Sequence, residues 1–132
     1  SEDFMAKIWC AASGECLRTL RGHAGAVCAA AFSPGGCKLL TASSDHTAKV
    51  WSISSGECLL TLRGHRSGVS SAAFSPDSRE LLTASHDHTA KVWRPTSGDC
   101  LLTLRGHRDM VRCVAFSPDA RQLFTASRDR TA

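Results

Sequence analysis

Short apolar runs alternate with turn-forming residues along the whole chain. Ala48-Lys49-Val50-Trp51 ends at a Ser54-Ser55-Gly56 turn, and Cys58-Leu59-Leu60-Thr61-Leu62 leads into Gly64-His65. Val69 to Phe74 is mostly small and apolar and stops at Ser75-Pro76-Asp77; Leu81-Leu82-Thr83-Ala84-Ser85 then runs into Asp87-His88-Thr89. Short apolar runs bounded by Gly, Pro, Ser and Asp are β-strand signals. No stretch is long enough and free enough of turn residues to make an amphipathic helix. Ala29 to Ala31 favours helix in isolation, but a window of about five residues cannot offset the cost of nucleation. The pattern predicts an all-β chain with no helix longer than one turn.

The pattern is also periodic. Trp9, Trp51 and Trp93 are 42 residues apart, and so are the pairs Gly22-His23, Gly64-His65 and Gly106-His107. Phe32, Phe74 and Phe116 keep the same step, as do Pro34, Pro76 and Pro118, and Asp3, Asp45, Asp87 and Asp129. Whole strings recur in fixed order: Leu-Arg-Gly-His, Ala-Phe-Ser-Pro, Thr-Ala-Ser-x-Asp and Ala-Lys-Val-Trp. A period in this range is the mark of a repeat architecture. With four strands per period, the repeat units run at approximately 10–51, 52–93 and 94–132, within one segment covering 1–132, and residues 1–9 close a preceding unit.

These strings resemble the WD40 repeat of β-propellers, and the resemblance covers essentially the whole chain. The Asp that names the family is absent, because Cys10, Ser52 and Arg94 follow the three Trp residues; the family often replaces it. The resemblance implies four-stranded antiparallel blades. Strand a precedes Phe-Ser-Pro, strand b contains Thr-Ala-Ser, strand c ends at Trp and strand d precedes Gly-His. It also implies a structural hydrogen-bond network in each unit: His23, Thr41, Asp45 and Trp51, then His65, Thr83, Asp87 and Trp93. The Asp would accept from one His nitrogen, the Thr hydroxyl would bridge the other, and the Trp N–H would donate to the Thr; Ser43 and Ser85 are alternatives for the hydroxyl. Such a set also resembles a catalytic triad. Its recurrence in every unit favours the structural role, since a nucleophile is not normally built in triplicate. His86-Asp87-His88 suggests a metal, but Asp87 already belongs to the network and the two His on a turn diverge. No catalytic residue, metal site or cofactor is expected.

The strand order along the chain is c, d, two full a-b-c-d blades, then a, b: two whole blades and two halves. Propellers usually have four to eight blades, so three blades' worth is expected to close by assembly. A dimer would give six blades and a trimer nine; the other explanation is an excised piece of a longer propeller. The last half carries His107, Thr125 and Asp129 without a following Trp. The first half carries Trp9, with Asp3 as a second candidate acceptor. Trp9 is therefore expected to complete the His107 network from a different chain. Phe4 and Met5 stand where other units have His and Thr. The overlap of Ser1 to Ala6 with Ser127 to Ala132 makes one turn segment redundant, and it is expected to fray.

The resemblance further implies that partners bind on the face formed by the d–a and b–c loops. The matching positions are Ala26, Cys28 and Ser44, then Gly68, Ser70 and His86, then Met110, Arg112 and Arg128. The first set is small and nearly neutral; the last carries two arginines, suited to bidentate capture of carboxylate or phosphate. The leading expectation is thus a non-catalytic scaffold binding a protein or peptide, acidic or phosphorylated at the last unit. The alternative is a purely structural module, which fits differences between units that concentrate at loop positions such as Ala24/Arg66 and Ser44/His86.

Composition narrows this little further. The 132 residues carry 16 Lys and Arg against 12 Asp and Glu, a net +4. The basic residues recur at repeat spacing, which spreads them around a ring, so no nucleic-acid partner is expected. The longest apolar run, Ala26 to Phe32, is far short of the ~20 residues of a membrane helix, and no membrane partner is expected. Ser1-Glu2-Asp3 has neither the basic nor the apolar region of a signal peptide. Seven cysteines without a C-x-x-C pair are expected to be reduced thiols, mostly packed as small hydrophobes, in the cytoplasm or nucleus.

Overall fold

A computed structural model describes residues 4–9, 11–119 and 121–130. Asp3, Cys10 and part of the overlap between the two chain ends lie outside the described residues. Twelve strands are present among the described residues, and no helix. β1 (Ala6–Trp9) and β2 (Cys16–Leu20) form a two-stranded sheet. β3 (Val27–Phe32), β4 (Lys38–Ser43), β5 (Ala48–Ser52) and β6 (Cys58–Leu62) form a four-stranded antiparallel sheet in chain order. β7 (Val69–Phe74), β8 (Leu81–Ser85), β9 (Ala90–Trp93) and β10 (Cys100–Leu104) repeat it. β11 (Val111–Phe116) and β12 (Leu123–Ser127) make a final pair. The expected order of one half, two whole blades and one half is what the chain adopts.

The blades stack through three apolar seams. Ile8 and Leu20 of the first half meet Leu39 and Trp51. Leu40, Ala42, Val50 and Leu62 meet Val69, Leu81 and Trp93 of the next blade. Leu82, Ala84 and Val92 then meet Val111 and Val114. Leu39 and Leu40 thus serve opposite faces of one strand. This is why β4 and β8 read as near-continuous apolar runs rather than as an alternation: each is covered on both sides. The outer strands are covered less, and Leu59 and Leu101 stay exposed.

The cysteine expectation is corrected here. All six described cysteines, Cys16, Cys28, Cys37, Cys58, Cys100 and Cys113, are free and exposed. Cys16, Cys58 and Cys100 open the outermost strand of each sheet, where no further strand covers them. Their thiols turn back to the local carbonyl two residues on, as Cys58 does to Leu60 at 3.5 Å.

Gly22 and Gly64 enter each blade at φ of 147° and 145°, and a Cβ on either would lie 3.3 Å from the ring edge of Trp51 or Trp93. Gly106 has φ of 139° but nothing within 4 Å of the same point. Both Gly64→Ala and Gly106→Ala carry backbone strain, of order 1–3 kcal/mol. Only Gly64→Ala adds a clash with a buried indole, so chemical denaturation should show the larger loss for Gly64→Ala.

Candidate functional site

The edge of each blade where strand d turns into strand a, and b into c, is tied together by one buried network. The His23 Nδ1–H donates to the Asp45 carboxylate at 2.9 Å, and Nε2 accepts from the Thr41 hydroxyl at 2.7 Å. The Thr41 oxygen in turn accepts the Trp51 indole N–H at 2.9 Å. The next blade repeats this with His65, Asp87, Thr83 and Trp93 at 2.9, 2.7 and 2.8 Å. In the final half, His107 reaches Asp129 at 3.1 Å and Thr125 at 2.8 Å. No described tryptophan donates to Thr125. Trp9 lies at the other end of the chain, 57% exposed, with the Lys7 ammonium 5.9 Å from its ring centroid.

The aspartate is the hub that joins the two loops. Asp45 also accepts the backbone N–H of Ala24 at 3.0 Å, and both the N–H and the hydroxyl of Thr47, at 2.9 and 2.5 Å. Asp87 accepts the same set from Arg66 and Thr89. Burial alone would raise the pKa of these carboxyls. The hydrogen bonds from Thr47 and His23, and from Thr89, Arg66 and His65, outweigh it and hold both well below the usual carboxylate range. Burial lowers the pKa of His23 and His65, against the pull of their aspartates. Both rings are therefore neutral and protonated on Nδ1, which leaves Nε2 free to accept. Thr47 and Thr89 are network members that the residue pattern did not single out, although each stands two residues after its Asp. Ser43 and Ser85, weighed above as the bridging hydroxyl, instead cap the loop: Ser43 donates to the Gly25 carbonyl and accepts the Asp45 N–H, both at 3.1 Å.

This Thr–His–Asp order matches the hydrogen-bond order of a catalytic triad. Thr41 and Thr83, however, are fully buried, and each hydroxyl oxygen already takes an indole N–H, so no substrate can reach them.

Above the network, the nine positions expected to face a partner fall on one edge. Ser44 donates its backbone N–H to Ala26, His86 to Gly68 and Arg128 to Met110, each at 2.9 Å. A Cβ on Gly68 would sit 3.3 Å from Ser44 Cα and 3.8 Å from His86 Nδ1, so the first two sets adjoin. Cys28, Ser70 and Arg112 share a further feature. The pairing of strand a with strand b shifts register between Val27 and Ala29, Val69 and Ser71, and Val111 and Cys113. Each of the three is thus the extra residue of a β-bulge, a device that re-aims a side chain. Cys28 and Arg112 are exposed. Ser70 differs: its hydroxyl lies within hydrogen-bond distance of the Ala84 carbonyl and the Val111 carbonyl of the next sheet, at 3.2 and 2.5 Å. It stitches two sheets together and is less open to a partner than expected. Further basic residues share the edge, namely Arg66, Arg108 and Arg130; the 42-residue step marks them, since Arg66 and Arg108 stand where the first unit has Ala24. A depression of about 100 Å³ there is lined by Gly64, Arg66, Asp87, Thr89, Lys91 and Arg105.

Four-stranded antiparallel sheets, stacked face to face and each pinned by a His–Thr–Asp–Trp network, define a repeat protein of propeller blades. Comparison with protein-family models matches the WD domain, G-beta repeat, over residues 14–52, 56–94 and 98–132. The chain belongs to the WD40-repeat family. Repeats of this family generally mediate protein–protein interaction as scaffolds and are typically non-catalytic. Comparison with curated proteins gave no match.

Replacing His65 with Ala leaves buried acceptors and donors on Asp87 and Thr83 unmatched, a loss of about 1–3 kcal/mol. His46 is exposed, in a left-handed turn at φ 74°. His46→Ala should therefore cost much less, and equal shifts in unfolding midpoint would count against the network. The network also sets a pH dependence. His23 and His65 titrate below their ordinary value of 6.5 when folded. The unfolded chain then takes up protons first, and stability falls as pH drops from about 6.5 through the lowered folded values. Asp45 and Asp87, depressed below 3.8, extend the loss in the same direction at more acid pH. Melting temperature should decline on acidification from neutrality, and a flat profile between neutral and mildly acid pH would contradict neutral buried rings.

Proposed function

We propose that this chain is a non-catalytic interaction module whose loop edge takes an acidic or phosphorylated peptide at its third unit, in the cytoplasm or nucleus. The observation that carries this is a rise in positive charge along the loop edge from the first unit to the third, where four arginines outnumber the one acid, Asp109, that the same loops gain. At matched positions the three units present Ala24, Arg66 and Arg108; Cys28, Ser70 and Arg112; Ser44, His86 and Arg128; and His46, His88 and Arg130. The His, Thr and Asp of the network beneath recur in all three units, so the variation lies outside these three side chains. Arg112, aimed by its bulge, and Arg128, set on the neighbouring turn by its backbone bond to Met110, are both exposed. Two guanidinium groups on adjoining loops suit a carboxylate or phosphate. A second reading, a module for assembly, is favoured by the exposure of Trp9, Phe32 and Phe124 at the two ends of the stack.

The test is selection from an unbiased peptide library, followed by Arg112→Glu with Arg128→Glu. Acidic or phosphorylated sequences should be enriched. If each arginine makes a charge-assisted bond of about 1.5 kcal/mol or more, the double variant should lose roughly a hundredfold or more in affinity, with its melting temperature nearly unchanged, as for exposed substitutions generally. Undiminished affinity would move the site elsewhere, and no selection at all would favour the assembly reading.

A further inference from the structure

We propose that the depression on the blade of β7 to β10 is an anion site, which takes one phosphate-type oxyanion between Arg66, Lys91 and Arg105. The inference is independent of the peptide reading, which concerns Arg112 and Arg128. Lys91 and Trp93 lie two residues apart on β9 and so share a face of the sheet. The pairing of β9 with β10 sets Thr103 opposite Lys91, and the Lys91 ammonium donates to the Thr103 hydroxyl at 2.9 Å. Arg105 follows β10 directly, two residues beyond Thr103, and lines the same depression. Gly64, from the preceding loop, passes over this row. A Cβ on it would lie 3.3 Å from the Trp93 ring and 3.9 Å from Lys91 Cε, so the missing side chain keeps the space beside Lys91 open. Arg66 enters from the same loop and is exposed.

The positive charge gathered here has no acceptor within the protein. Asp87 lines the depression too, but its carboxylate is filled. Oδ2 accepts from the His65 ring and the Arg66 N–H, and Oδ1 from the N–H and hydroxyl of Thr89. A carboxylate offers about four lone-pair sites, and these four donors take them. Among the described residues the ion pairs are the three His–Asp contacts of the networks, and no carboxylate pairs with Arg66, Lys91 or Arg105. Lys91 spends one of its N–H groups on Thr103 and keeps the others. Three cations beside one ionised acid leave two positive charges in excess, which a phosphate dianion balances, and its oxygens suit donors that converge from separate elements. The blade of β3 to β6 is a built-in control. It has Gly22, Asp45, Thr47, Lys49 and Arg63 at the matched positions, with Lys49 on Thr61 at 2.9 Å and Gly22 beside the Trp51 ring. Only the guanidinium of Arg66 is missing, because Ala24 stands there, and Ala24 gives Asp45 the same backbone N–H at 3.0 Å. Arg66 therefore turns a shared framework into a site, with a side chain that the framework does not use.

The experiment follows backbone amide NMR shifts of the full chain during titration with inorganic phosphate, and separately with glycerol phosphate, against sodium chloride of equal ionic strength. Phosphate should give saturating shifts at Gly64, Arg66 and Thr89, and chloride should not. Saturation by both probes identifies the terminal phosphate of a small ester as a ligand; saturation by phosphate alone identifies the free ion. Arg66→Ala should weaken binding about tenfold or more, the loss of one charge-assisted bond. Ala24→Arg should create a second set of saturating shifts, at Gly22 and Thr47. Each variant places in one blade the residue that the other blade already carries, so both should fold, and circular dichroism checks this. The proposal is overturned if the shifts at Gly64, Arg66 and Thr89 do not saturate, or if Gly22 and Thr47 respond equally in the wild-type chain. Unchanged affinity in Arg66→Ala, or no gain in Ala24→Arg, would overturn it too. Shifts confined to Val111, Arg112 and Arg128 would place the anion on the third unit, which sinks this site while leaving the peptide reading standing.

Discussion

Each blade contains an aspartate that is held ionised although largely removed from water, and the loop edge is organised around it. Asp87 accepts from a histidine ring, a loop N–H, a turn N–H and a hydroxyl. These donors come from two loops that are 22 residues apart in sequence, counted from His65 to Asp87. Neither loop has regular structure of its own to fix it. The carboxylate substitutes for that structure: removing it would leave four donors unmatched, each a cost comparable to a lost hydrogen bond. The histidine is the relay that connects this loop carboxylate to the interior of the sheet. Because its ring is neutral, it can donate outward to Asp87 and accept inward from Thr83, whose oxygen then meets the Trp93 indole. Loop position is thereby referred to strand b and strand c of the same sheet.

The tryptophan does two unlike jobs at once. Its N–H ends the polar relay, and its ring lies on the seam with the adjacent blade, as Trp51 does beside Ile8, Leu20 and Leu39. Loop geometry and blade stacking are therefore coupled through one side chain. Gly64 is the corollary. The chain must pass within contact distance of the Trp93 ring at a φ of 145°, and no side chain fits there without strain. The absence of a tryptophan in the last half shows in the same two quantities: open space at Gly106 and a more exposed His107.

Much of this was legible from residue spacing, and the parts that were not share a physical cause. Strand positions, their order and the His–Thr–Asp–Trp partnership follow from strings recurring at a fixed step. A string such as Leu-Leu-Thr-Ala-Ser identifies a strand covered on both faces wherever it appears. Cysteine burial was misjudged because hydropathy does not say which strand is outermost, and Cys58 and Cys100 lie on the strand that nothing covers. The bulges at Cys28, Ser70 and Arg112 leave no compositional mark, since they arise from a one-residue mismatch between two backbones. Ser70 shows the consequence: its place in the repeat put it among the partner-facing residues, while its contacts bind it to the carbonyl of Val111. Thr47 and Thr89 were visible in the recurring Asp-x-Thr string, but a hydroxyl on a turn signals nothing until the acid it bonds is seen to need a fourth donor.

The same arrangement explains why variation collects where it does. A residue whose side chain enters the relay cannot change without stranding its partners. A residue that contributes only its backbone N–H can carry any side chain. Arg66 and Ala24 both donate a backbone N–H to the aspartate hub, at 2.9 and 3.0 Å, and Ser44, His86 and Arg128 all donate one to the facing loop at 2.9 Å. Their side chains are exempt from the network by construction. Charge can thus be placed on the third unit without disturbing the scaffold beneath it. Arg108, Arg112, Arg128 and Arg130 occupy positions of this exempt kind or, for Arg112, the extra residue of a bulge, which makes no ladder pair to lose. On the function proposed above, stability and recognition would fall to different atoms of the same few residues, the main chain serving one and the side chain the other.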